Sequence, residues 1–231
     1  MISTRIILAG MAIVAAVPAL ATTETGMAPL AQYMIADRAA EIALARSAAP
    51  AAISAHATIL VLGRHRYEIA ATGSNGFTCL VERAWMSPFD AGAEFWNPRN
   101  RGPICYNAAA SRSVLPYTIR RTELALAGVS RADMLKTISA AVAKKQLAAP
   151  APGAMSYMMS KQQYLNDAAG AWHPHLMFHI PITDAASWAA NADGSPVMFD
   201  SAHKQGPEPE TIFMVAAGHW SDGTPDMPHH H

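Results

Sequence analysis

The chain has 231 residues, 51% of them hydrophobic and 15% charged, with 17 Lys plus Arg against 17 Asp plus Glu. A zero formal balance offers no electrostatic case for nucleic acid or an anionic membrane surface as partner. The hydrophobic share excludes a disordered chain and suffices for a sizeable core.

Residues 1–21, MISTRIILAGMAIVAAVPALA, have the form of a secretory signal peptide: one basic residue (Arg5), an apolar run from Ile6 to Val17, then Ala19-Leu20-Ala21. The run is too short to cross a hydrocarbon core of about 30 Å, and no later segment approaches ~20 uninterrupted apolar residues, so no integral membrane protein is expected once the signal is cleaved. The expected product is periplasmic or secreted, with a single domain over 22–225 and a flexible tail at 226–231; the polar, Pro-rich WSDGTPDMPHHH from Trp220 onward is expected to fray. Cys79 and Cys105 are the only cysteines. In an oxidising compartment such a pair most economically makes one disulfide.

Beyond the signal, the alanine-rich stretch from Pro29 to about Ser47 favours a helix that Pro50 stops. Three β-prone runs at 57–63, 67–73 and 77–83 follow, the last two separated by the turn signal SNG, and suggest a β-meander. Residues 85–107 hold three prolines and five aromatic residues, show no helix or strand period, and are expected to form a long ordered loop. Helices resume near 108. Gly128 is a natural stop, and Ser130 with Asp133 three residues on is a capping pattern for the next helix. AAPAPG at 148–153 reads as a linker, and strands are expected at 155–160, 175–180, 196–200 and 211–218. Strands, then helices, then strands point to one α+β domain with a mainly antiparallel sheet and packed helices.

The segments EIALARSAAP with TILVLGRHRYE, NGFTCLVERAWMSPFD, EFWNPRNRGPIC, GAMSYMMSKQQYLND and WHPHLMF together resemble an uncharacterised family of exported bacterial proteins. The resemblance spans most of the chain beyond the signal. It implies export and a single folded unit, and brings no activity, ligand or catalytic residue.

The chemistry-bearing candidates are two. In GAWHPHLMFHIP (170–181), strand parity puts His173, His175, Met177 and His179 on one face and Trp172, Pro174, Leu176, Phe178 and Ile180 on the other. Residues two apart on a strand lie about 6.6 Å apart, so His173 and His175 can share one ion, whereas His179 lies about 20 Å from His173 along the strand. His219 is the expected third ligand: if the strand before it runs antiparallel to HLMFHI, it ends beside the histidine pair. His203, Asp200 and Glu208 stand in reserve. Three ligands with an open position suit catalytic zinc, hence a metal-dependent hydrolase, and neighbouring Met177, Met155, Met158 and Met159 admit copper. The bland alternative is the solvated face of an ordinary strand.

The second candidate is the 85–107 loop, whose Trp85, Phe95, Trp96, Arg99 and Arg101 are anchor residue types for a small ligand or a protein partner in a non-enzymatic binding protein. There is no GxSxG, HExxH, CxxCH or phosphate-cradling Gly-rich loop, so neither haem nor nucleotide is expected.

Overall fold

The computed structural model describes residues 26–203 and 206–226. The expected signal peptide at 1–21 and residues 227–231 of the expected tail lie outside the described residues.

Eight strands form one sheet: β1 (Thr58–Leu62), β2 (Tyr67–Ala71), β3 (Thr78–Glu82), β4 (Gly102–Tyr106), β5 (Met155–Met158), β6 (His175–Pro181), β7 (Val197–Met198) and β8 (Glu210–Ala216). Their order is β2-β1-β3-β4-β5-β6-β8-β7. Five helices accompany them among the described residues: α1 (Arg38–Arg46), α2 (Ala51–Ser54), α3 (Ala108–Ser113), α4 (Leu115–Leu126) and α5 (Arg131–Ala143). None is long and apolar enough to cross a membrane. The architecture is α+β with a mostly antiparallel sheet, as the element order suggests.

Five local expectations are corrected. The first helix does not run from Pro29: Asp37 accepts a bond from the Ala39 N–H and starts α1 there, while Tyr33 ahead of it turns into the core and donates its hydroxyl to the Trp96 carbonyl at 2.6 Å. Pro50, rather than only stopping a helix, precedes the four-residue α2.

The first three strands are not a meander. β3 crosses back and pairs with β1 in parallel, Thr58 opposite Thr78. The SNG turn passes over the end of β1, where the Ser74 and Asn75 N–H groups donate to the His56 carbonyl, and a Cβ on Gly73 would lie 2.2 Å from the Thr58 nitrogen. Only glycine permits that approach.

The 85–107 stretch contains a central strand. All five residues of β4 are buried, so no alternation marks it. Pro103 is tolerated because the Arg101 N–H points to Tyr164 on the β5 side, Pro103 two residues on faces the same side, and β5 pairs only from Cys105 onward.

The C-terminal segment is tied down as far as Asp226. Trp220 is buried, Ser221 donates to the Met159 carbonyl, and Asp226 donates to that of Gly218.

Gly128, at φ +73°, ends α4 as expected, and the Ser130 hydroxyl accepts from the Asp133 N–H at the start of α5. The connector at 148–153 is fastened rather than free: Ala151 donates to Ser113 Oγ, and the Ala148 carbonyl accepts from Tyr117. Cys79 and Cys105 stand directly opposite each other on β3 and β4 and are bonded. They lie on the sheet face covered by α1, with Ala45, Ala48, Ile59 and Val81. The other face carries the larger core, formed by α3, α4 and α5 together with the folded-in 85–101 segment. The ion pair of Arg83 with Glu41 of α1 is buried: Arg83 bonds Glu41 at 2.8 Å and the Tyr33 carbonyl, while Glu41 also accepts from the Leu62 N–H.

Candidate functional site

Between that second face and α4 lies a cavity of about 330 Å³. Strand alternation supplies its floor: Glu82 from β3, Ile104 and Tyr106 from β4, Met158 from β5, Met177 and His179 from β6, and Ile212 and Met214 from β8 all line it. α4 and its N-cap residue Val114 supply the roof: Val114, Tyr117, Thr118 and Arg121 recur at i, i+3, i+4 and i+7 and therefore share one face. Exposed Asp200 and His203 mark the solvent side. A larger depression of about 860 Å³ over α4 and α5 is a surface groove rimmed by the exposed Arg120 and Lys136 and the half-buried Glu123.

The polar groups of the cavity form three linked sets. Tyr106 donates its hydroxyl to Glu82 Oε1 at 2.5 Å, and Thr118 Oγ1 lies 3.2 Å from the same oxygen. Burial raises the Glu82 carboxyl above the ordinary carboxylate range, outweighing these hydrogen bonds and the nearby charges of His179 and Arg121 that oppose it. Burial beside Glu82 likewise holds the Tyr106 phenol protonated.

In the second set, His179 is buried with Nδ1 2.9 Å from Glu210 Oε2 and Nε2 2.9 Å from Ser156 Oγ. A carboxylate only accepts, so Nδ1 carries the proton, and the ring is fixed in tautomer and orientation. In the third, Arg121 bonds Glu208 at 2.6 Å and the Trp85 and Ser87 carbonyls, and stacks over Phe89 at 4.1 Å.

Comparison of the chain with family models, curated proteins and solved structures returns no match. The reading of this site rests on its own chemistry.

The histidine face of β6 is the inner one. His175 is 2% exposed, donates Nδ1–H to the His173 carbonyl at 2.7 Å, and packs against the Trp172 ring at 4.6 Å between centroids. Burial pushes its pKa down to about 4. His173 is half-exposed and pairs with Asp226 at 2.6 Å. β8 does run antiparallel to β6, with Ala216 opposite His175. His219 nonetheless lies past its end, exposed and bridged to Pro225. Among the described residues no group of three His, Cys, Asp or Glu side chains is placed to hold a metal ion. Met158 and Met177 serve as cavity wall.

The aromatic residues of the 85–107 segment face inward. Trp85 and Phe95 are fully buried and Trp96 is 9% exposed. Trp85 bonds Thr122, and Phe95 packs edge-on against Trp96. Arg101 is spent on the carbonyls of Pro98, Asn100 and Gln32, and exposed Arg99 pairs with Asp167 over the Tyr164 ring. The segment therefore builds core, and its aromatic side chains do not form an exposed anchor surface.

The residues that do converge, Glu82, Tyr106, Thr118, Arg121, Ser156 and Glu210, were not singled out by spacing. One signal for them is present: Glu82 shares parity with Leu80 in a strand buried on both faces, where a carboxylate needs a reason.

Proposed function

We propose that this chain is an exported protein that binds a small molecule in the cavity between the sheet and α4. The observation that carries the reading is the lining itself: a mainly apolar enclosure with a few fixed polar groups and a carboxyl of raised pKa, the usual makeup of a ligand site. Met86, Met158, Met177 and Met214 give it walls that adapt to an apolar body. The secretory form of residues 1–21 supports export.

The test is thermal unfolding with small cyclic alcohols and amines. A ligand at a hundred times its Kd adds about 2.7 kcal/mol, which in a chain of this size raises Tm by roughly 5–10 °C. Met177→Trp, which fills the floor, should abolish the shift. A shift that survives in Met177→Trp places binding elsewhere and defeats the reading.

A second reading is favoured by one observation: Ser156, His179 and Glu210 are connected as nucleophile, base and orienting acid are in serine hydrolases. Against it, Ser156 is 0% exposed, flanked on its neighbouring strands by Tyr106 and Met177. The relay then serves to orient His179. Labelling with a fluorophosphonate separates the two: covalent modification at Ser156 supports a hydrolase, and no modification supports binding.

A further inference from the structure

The hydrogen-bonding balance of the cavity is one-sided. Its donors are committed within the protein: the Tyr106 hydroxyl to Glu82, the Thr118 hydroxyl within the same cluster, His179 Nδ1–H to Glu210, and the Arg121 guanidinium to Glu208 and two carbonyls. Its acceptors are not. Glu82 takes its bonds on Oε1 alone, Glu210 on Oε2 and Glu208 on Oε1, which leaves one oxygen of each carboxylate without a partner among the described residues.

The charge balance leans the same way. Two cations stand near Glu82, His179 and Arg121, and Arg121 is already paired with Glu208, so the carboxylates of the cavity outnumber the charge left to match them. Open acceptors in an apolar enclosure select a ligand that brings donors and positive charge, because an anion would meet a guanidinium already paired with Glu208 and would be repelled by both carboxylates.

We infer that the ligand carries a protonated amine on an apolar body, with the ammonium recognised by the open oxygens of Glu82 and Glu210. The methionine walls take the body, and the carboxylates at the β3 and β8 positions take the head. This rests on the cavity reading above and names the ligand class.

The experiment measures, by calorimetry on the full exported chain, binding of benzylammonium, its neutral counterpart benzyl alcohol, and benzoate. The expected order is benzylammonium tighter than benzyl alcohol by at least tenfold, the size of one charge-assisted hydrogen bond, with benzoate weakest. Glu82→Gln and Glu210→Gln should each bring the ammonium-to-alcohol ratio toward one. Equal affinities, a preference for benzoate, or a ratio unchanged in the Glu82→Gln/Glu210→Gln double variant overturns the amine assignment while leaving the cavity as a binding site. If none of the three probes binds, the cavity reading fails and the amine assignment falls with it. The ratio in the unmodified protein tests the inference even where a variant does not fold.

Discussion

His175 should make the protein acid-sensitive. Its imidazole is enclosed and its pKa drops from the ordinary 6.5 to about 4. The unfolded chain therefore takes up this proton near pH 6.5, while the folded protein resists until about pH 4. Stability is lost as pH falls through that window because the unfolded state binds the extra proton. At 1.36 kcal/mol for each pH unit separating the two values, the loss on going from pH 7 to pH 4 is about 3 kcal/mol. His175→Asn keeps a donor for the His173 carbonyl and removes the titration. Urea unfolding of both proteins across pH 4 to 7.5 isolates the effect, since carboxylates titrate alike in the two. The variant should be the less stable at pH 7, and the gap should narrow by about 3 kcal/mol at pH 4. A gap independent of pH would show that His175 is not buried as a neutral ring.

Arg83→Met should cost about 3–5 kcal/mol in urea unfolding, because Glu41 would remain buried without its counter-charge. Thiol titration of denatured, unreduced protein should find no free thiol, and Cys79→Ser/Cys105→Ser should lower stability by about 3.5 kcal/mol through the freed loop between them. Protein truncated after Asp226, which removes His229, His230 and His231, should hold no stoichiometric zinc or copper on elemental analysis. A 1:1 content abolished by His173→Ala or His175→Ala would restore the chelate. N-terminal sequencing of exported protein should begin at Thr22; an intact Met1 would count against the signal.

What could be read from the sequence were the features decided locally. Ser130 and Gly128 bound α4 and α5 through their own backbone chemistry, and the apolar runs at 57–63, 77–83 and 211–218 became β1, β3 and β8. The two cysteines meet in register. What escaped was decided by partners distant in the chain. His175 and His179 look like a wet strand face until the His173 carbonyl, Ser156 and Glu210 are seen to satisfy each of them inside. β4 was hidden because burial of all five residues erases alternation and Pro103 argues against a strand. The cavity was hidden because its parts are scattered: its groups come from β3, β4, β5, β6, β8 and α4, and none of its three polar sets lies within a single element.

The connector at 148–153 divides those groups. Glu82, Tyr106, Thr118 and Arg121 precede it, and Met158, Met177, His179, Glu208 and Glu210 follow it, joined to the first half through the β4–β5 pairing, the Arg101–Tyr164 bridge, the Met159 N–H to the Ala48 carbonyl and shared core packing. A backbone cut in the exposed residues Pro152 and Gly153 would leave two fragments, each with half of every recognition surface. Ligand would then act as a bivalent glue, lowering the dissociation constant of the fragments by the factor by which it favours the assembled over the separated halves. The same division turns the molecule into a sensor scaffold, in which a reporter split across the cut would be reassembled by whatever the cavity holds.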